Sequence, residues 1–312
     1  MVSKSSNQHK TVRSNIPLLL SLLFVFVFSV SLIAAIAIKD LTAETNEPAP
    51  AQDITPSGEP EPEPEPEKEL PAKIDFQEIV DGWVSTVSGS KSVIIYDLDR
   101  DELVGVYNPD ESYNTASLYK LFVVYDGYMK IQNGEWSADA KAGGTGYTVS
   151  KCLDLAIRES NSSCAETLWS MIGRDNLEDV ILGHYKITDS DISSLISNPN
   201  DILKMMQIFY KHEDITDETL LAQIKDSFLV QPATTYNWRQ GLPSGFTRAN
   251  VYNKVGWDYN PDGRYWNIYH DVAIVEFPED NRHFIVVVMT NKVPFQKITD
   301  LGHRIENYYY SQ

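Results

Sequence analysis

Cysteine is scarce in this chain. The only two residues, Cys152 and Cys164, lie twelve positions apart. Neither is near the apolar N-terminal run, which argues against a lipid-modified anchor there. Basic residues are outnumbered, with 26 Lys and Arg against 44 Asp and Glu, for a formal net charge of −18. A phosphate backbone needs basic surface, so this balance argues against nucleic acid as a partner, although part of the negative charge belongs to a linker. The six histidines, His9, His184, His212, His270, His283 and His303, show no metal-ligand spacing. That scatter speaks against a zinc hydrolase, and no metal or other cofactor is expected. The chain has no Gly-x-Ser-x-Gly elbow and no internal repeat. Gly143-Gly144-Thr145-Gly146 does not join a strand to a helix as a nucleotide-binding loop would.

Charge is also missing from residues 16–38. As a helix rising 1.5 Å per residue, Ile16 to Ile38 would span about 35 Å, enough to cross a bilayer. Lys4, Lys10 and Arg13 precede the run and no acid does. The positive-inside bias therefore predicts a cytoplasmic tail at 1–15, a transmembrane anchor at 16–38 and everything later outside. The rival reading is a signal peptide cut near Ala35-Ile36-Ala37, which would make the protein secreted. The run exceeds the roughly 7–15 residues of a signal h-region, which favours the anchor. Residues 39–71 read as a disordered linker. Its Glu59-to-Glu67 stretch alternates acid and proline, so it should be extended and solvated. At about 3.1 Å per residue in polyproline II, such a spacer could reach several tens of ångströms from the membrane. An exported domain can keep a disulfide, so Cys152 and Cys164 are either bridged or two buried thiols, and both readings stay open.

Residues 72–312 are enough, at about 240 positions, for a full hydrophobic core. Ile74 to Val87 reads as an amphipathic helix. Strands are expected at Ser92–Asp97 and Glu102–Tyr107. Ala116 to Ile131 reads as a helix apolar nearly all round, hence buried. Thr148 to Tyr185 should hold two or three short helices. Asn200–His212, capped by Asn200 or Asp201, and Asp217–Phe228, capped by Thr216, are two more. From Ala249 the character changes to strand, at Val251–Trp257, Tyr265–Phe277 and His283–Thr290, before a closing helix from Val293 to Tyr310. Strands near both ends with helices between predict an α/β (α+β) fold: a sheet flanked by helices with an inserted all-helical lobe at about 115–245. The sheet lobe would take about 72–114 and 246–312.

Three short motifs stand in order on this framework: Ser117-Leu118-Tyr119-Lys120, Ser160-Asn161-Ser162 and Lys254-Val255-Gly256. Each alone is expected by chance. Their order, with the first heading a buried helix and the third on a strand, is not. A serine hydroxyl is a poor nucleophile until a base takes its proton. Lys120 lies one turn from Ser117, and a lysine can be that base if burial beside another cation lowers its pKa. Lys254, on an edge strand, would be that second cation. Ser160 could relay the proton to a leaving amine. The helix N-terminus offers the N–H of Ser117 to an oxyanion, the N–H of Trp257 is the second candidate donor, and Gly256 would let a substrate backbone approach.

The motif set resembles that of the class A β-lactamase and penicillin-binding serine hydrolases, Ser-x-x-Lys, Ser-Asp-Asn and Lys-Thr-Gly. The likeness runs from about Ile74 to the C-terminus. It includes Ser160 to Leu168, Gly241-Leu242-Pro243-Ser244-Gly245, Asp271 to Val275, and Thr290-Asn291. It implies an antiparallel sheet and a serine acyl-enzyme acting on β-lactams or D-alanyl-D-alanine wall peptides. In it Ser117 is acylated, Lys120 is the general base, Ser160 the proton shuttle and Lys254 the electropositive partner. It also implies a bacterial cell membrane as the location, with the catalytic domain outside.

The departures from the family pattern carry their own expectations. Ser162 replaces an asparagine that binds the substrate's side-chain amide, and the shorter group weakens that contact or routes it through water. Val255 replaces a hydroxyl residue that helps hold the substrate carboxylate, which Arg239, Arg248 or another group would then have to supply. Between Met171 and Asn200 there is no Glu-x-x-Leu-Asn signature, whose glutamate activates the deacylating water. Asp189 or Asp191 is a possible substitute, whereas Glu166 lies on the second-motif helix and is not. Efficient acylation with slow deacylation follows. The substitutions at Ser162 and Val255 motivate the alternative of a catalytically degenerate domain that binds wall peptides or a protein.

Overall fold

The computed structural model describes residues 70–229, 239–259 and 267–312. The expected tail, anchor and nearly all of the linker lie outside these residues. Among the described residues no helix is long and apolar enough to cross a membrane.

Five strands form one antiparallel sheet: β1 (Ser90–Asp97), β2 (Glu102–Tyr107), β5 (Asn250–Asp258), β6 (Ile268–Phe277) and β7 (Arg282–Asn291), in the order β2-β1-β7-β6-β5. The hairpin β1–β2 turns through Leu98 to Asp101, and β6–β7 turns through Pro278 to Asn281, where polar turn residues interrupt the apolar runs. The short strands β3 (Tyr113–Asn114) and β4 (Ile196–Ser197) pair separately. β2 and β5 are the two edges, so the chain leaves the sheet at one edge and returns at the other.

Alternation of side chains divides the core between the two sheet faces. Val93, Ile95, Val286 and Val288 pack with helix α1 (Gln77–Thr86) and the last helix, α8 (Phe295–Tyr309). Ile94, Tyr96, Val287 and Met289 pack against the intervening helices. Trp83 Nε1 donates to Lys297 O at 2.7 Å and joins α1 to α8.

The intervening segment begins with a tight 3-10 turn, Ala116–Leu118, and continues as α2 (Tyr119–Gln132). Every residue of α2 from Tyr119 to Tyr128 is buried, as its all-round apolar sequence requires. Then come α3 (Val149–Arg158), α4 (Ser162–Ile172), α5 (Arg174–Gly183), α6 (Pro199–Lys211) and α7 (Glu218–Leu229). Asn161 caps α4, its Oδ1 accepting from Cys164 N at 2.9 Å.

Two expected caps are corrected. Asn198, not Asn200 or Asp201, caps α6: its Oδ1 accepts from Asp201 N at 2.9 Å, and Pro199 then fills the first helical position, where no N–H is needed. Asp217, not Thr216, serves α7, its Oδ1 accepting from Thr219 N at 2.8 Å and Leu220 N at 3.2 Å. In both cases the residue that caps is the carboxamide or carboxylate immediately before the first helical residue.

Cys152 and Cys164 form a disulfide with a Cα separation of 4.9 Å, joining α3 to α4. The loop it closes contains Ser160, Asn161 and Ser162.

Candidate active site

Ser117 sits within the 3-10 turn rather than in the α-helix proper. Lys120, three residues on in the first turn of α2, lies beside it. Lys120 Nζ lies 3.0 Å from Ser117 Oγ, 3.1 Å from Ser162 Oγ, 3.3 Å from Ser160 Oγ and 2.5 Å from Ser160 O. The carbonyl of Ser160 can only accept, so one amine N–H is always committed to it. An uncharged amine then has one further N–H and a lone pair for three hydroxyls. Its lone pair can take the proton of Ser117.

The two backbone turns that present these hydroxyls are strained. Ala116, directly before the serine, has φ 45°, and Ser160 has φ 54°. Left-handed backbone at a non-glycine residue costs on the order of 1 kcal/mol. Hydrogen bonds hold both turns, Ala116 N donating to Asn114 Oδ1 at 2.9 Å and Lys120 Nζ to Ser160 O at 2.5 Å.

Lys254 comes from edge strand β5. Its Nζ donates to Ser160 Oγ at 2.9 Å and to Val255 O at 2.7 Å. The hydroxyl of Ser160 thus stands between two amines and can pass a proton from one side to the other. Lys120 is 0 % exposed and Lys254 1 %. Burial pushes the Lys120 amine from 10.5 down to about 8, against the pull of the Glu166 carboxylate. Burial, followed by the charge of Lys120, holds Lys254 well below its ordinary value, and Asp271 opposes this. Two buried amines so close cannot both be fully charged, the condition a lysine base requires.

Asp271 stands behind Lys254 on the opposite sheet face. Burial pushes its carboxyl up to about 7, although Asn253 Nδ2 and Leu242 N donate to it at 2.8 and 2.7 Å. A Cβ at Gly241 would fall 2.1 Å from its Oδ2, so the Gly-Leu-Pro segment needs its glycine to let this carboxylate in.

Other expectations change. A Cβ at Gly256 would meet Thr115 O at 2.8 Å and Leu118 Cγ at 2.9 Å. The glycine therefore lets β5 lie against the turn that carries Ser117. Val255 is buried in the opposite layer, with Val251, Ala273 and Val288. Strand alternation turns it away from Lys254, and its side chain packs in the core rather than beside Lys120 and Ser160. Trp257 follows on the same edge strand, half-buried. Ser162, exposed at the start of α4, is directed at Lys120.

Neither arginine expected for a carboxylate faces the site. Arg239 Nη1 donates to Leu229 O at 2.8 Å and Val251 O at 3.1 Å. Arg248 pairs with Glu279 at 2.6 Å and stacks 3.3 Å over the Tyr310 ring.

The loop before α6 lies next to the turn that carries Ser117, since Thr115 N donates to Leu195 O at 2.7 Å and β3 pairs with β4. Its acids do not reach the serine. Asp189 and Asp191 are exposed, and Asp191 Oδ1 accepts from Ser194 N at 2.9 Å. Asp201 is buried under Ser190 Oγ and Asp189 N, both at 2.9 Å. Glu166 accepts from Tyr119 OH at 2.8 Å and Arg174 at 2.7 Å. Its influence on Lys120 escaped the sequence reading. The signal was there, because Glu166 follows Ser162 by four residues and so shares its helix face.

Solved structures share this fold. A class A beta-lactamase from Bacteroides cellulosilyticus superposes with a TM-score of 0.65 at 14% identity, covering 77% of this chain and 100% of that one. An ancestral class A beta-lactamase, of the last common ancestor of Gram-negative bacteria, gives 0.63 at 15% identity, covering 75% and 99%. The protein PBP-A gives 0.62 at 14%, covering 78% and 100%. At these identities the likeness is one of fold. No curated protein matches the sequence. The model of the beta-lactamase enzyme family, however, matches residues 75–309, most of the chain's length, and the chain belongs to that family.

Proposed function

We propose that this chain is a membrane-anchored, extracytoplasmic serine acyl-enzyme acting on D-alanyl-D-alanine wall peptides or the β-lactams that mimic them, and that it deacylates slowly. The observation that carries the reading is the amine of Lys120, buried, lowered to about 8 and 3.0 Å from Ser117 Oγ. Lys120 Nζ takes the serine proton as Oγ attacks the carbonyl carbon. The oxyanion is met by the N–H groups of Ser117 and Trp257. Collapse breaks the C–N bond, and the leaving nitrogen takes a proton through Ser160 Oγ, which Lys254 holds in place. Slow release is supported by the loop before α6, where Asp189 and Asp191 are turned to solvent. The outside location is supported by the charged residues ahead of the apolar run, and the Cys152–Cys164 bridge fits an oxidising compartment.

Treating the full chain with a fluorescent penicillin and then with nitrocefin separates the two steps. A stoichiometric adduct is expected, with nitrocefin turnover roughly 10²–10⁴ below that of an enzyme with a positioned deacylation base. Nitrocefin hydrolysis at tens of turnovers per second would overturn slow deacylation. A chain that takes no label anywhere between about pH 6 and 10 would instead be a non-catalytic binding domain.

A further inference from the structure

We infer that His270 is a positioning residue for Ser117: it holds the backbone turn that presents the nucleophile and ties that turn to β6 and β7, next to the strand that carries Lys254. The inference rests on the reading of Ser117 as the nucleophile.

His270 lies on β6, fully buried, as the register partner of Gly256. Thr290 N donates to its Nδ1 at 2.9 Å, so Nδ1 carries no proton. The proton is therefore on Nε2, which donates to Asn114 O at 2.8 Å. Burial pushes the ring's pKa from 6.5 down to about 4, so this neutral tautomer persists at working pH.

The carbonyl it grips belongs to the lead-in of the serine. Asn114 Oδ1 accepts from Ala116 N at 2.9 Å, and Ala116 is the left-handed residue directly before Ser117. Thr115 donates to Leu195 O and accepts from Leu118 N at 2.9 Å. Residues 114–116 are thus fixed from the loop side, from within and, through His270, from the sheet. A Cβ at position 256 would lie 3.0 Å from the ring's Cδ2, so Gly256 also makes room for the imidazole. The ring packs against Tyr113 in a T-shaped pair, 5.6 Å between centroids. A strained turn needs such restraint, because an error of about 1 Å in a nucleophile can cost on the order of 10²-fold in rate.

Three variants of the full chain divide the two ring functions. His270→Gln can keep the donor at the Nε2 position, His270→Asn keeps only the acceptor at Nδ1, and His270→Phe keeps only the ring. Acylation by a fluorescent penicillin is resolved into its binding constant and its first-order acylation constant, well below each melting midpoint. The acylation constant is expected to stay within about threefold in His270→Gln and to fall about 10- to 100-fold in His270→Asn and His270→Phe, with binding changed less than threefold. An unchanged acylation constant in folded His270→Asn or His270→Phe overturns the inference. So does a loss confined to binding, or equal losses in all three that follow melting temperature. A parent chain that takes no label defeats the functional reading instead. Crystal structures of parent and His270→Asn then decide the positioning role: a widened Ser117 Oγ–Lys120 Nζ separation supports it, and 3.0 Å retained in the variant overturns it.

Discussion

Lys120→Met is expected to slow acylation by a penicillin by roughly 10³–10⁴-fold and, at the same time, to make the folded domain more stable at neutral pH. Both effects have one cause. The amine is fully buried, and burial lowers its pKa from 10.5 to about 8. The folded state therefore holds fewer protons on this group than the unfolded chain between pH 8 and 10.5. Stability from this group is present above 10.5 and is lost as pH falls through 8. At pH 7 the depression corresponds to about 3 kcal/mol of lost stability, part of which methionine should recover, on the order of 1–3 kcal/mol once the bond to Ser160 O is also gone. Thermal melts of parent and variant should therefore differ by a few degrees at pH 7, and the variant's advantage should vanish and then reverse as pH rises toward 10.5, where only the lost bond to Ser160 O remains. The acylation rate of the parent should rise from pH 6 and level off above about 8, as the amine loses its proton. A variant that melts lower at pH 7, or acylation that falls with rising pH, contradicts this account of the lysine.

Loss of the disulfide should give the second-largest effect. Cys152 and Cys164 are separated by twelve positions, and opening so short a loop costs about 3 kcal/mol in the chain-entropy account. For a domain of about 240 residues the double variant Cys152→Ala/Cys164→Ala should melt roughly 6–12 °C lower. The bridge also closes the loop in which Ser160 is held at φ 54°, with its carbonyl and hydroxyl both on Lys120. Acylation of the folded variant should therefore drop about tenfold or more, through geometry alone. Stopped-flow labelling below the melting range reads this. A variant with the parent's acylation constant would show that α3 and α4 position Ser160 without the bridge.

Much of the site was legible because its side chains come from elements with clear signatures. Ten consecutive buried residues mark α2, and strands rich in β-branched residues mark β5 to β7, so the first and third motifs fell on recognisable structure. What escaped were features set by tertiary contact. The pairing of the cysteines depended on a Cα distance that no spacing reveals. The role of Gly256 depended on how closely β5 approaches Thr115, and that of Val255 on which sheet face it turns to. Arg239 and Arg248 carry the charge a substrate carboxylate would need, yet backbone carbonyls and Glu279 engage them, which only the tertiary fold reveals. His270 carried a signal only in retrospect: a histidine inside an apolar strand, opposite the one glycine of the third motif.

The central claim is that Ser117 attacks with Lys120 as its base, and peptide mapping by mass spectrometry after penicillin treatment of the full chain tests it most directly. The account predicts one penicilloyl group per chain, on the peptide containing Ser117, and none after Ser117→Ala. An adduct on Ser160 or Ser162, or label retained by Ser117→Ala, would contradict it.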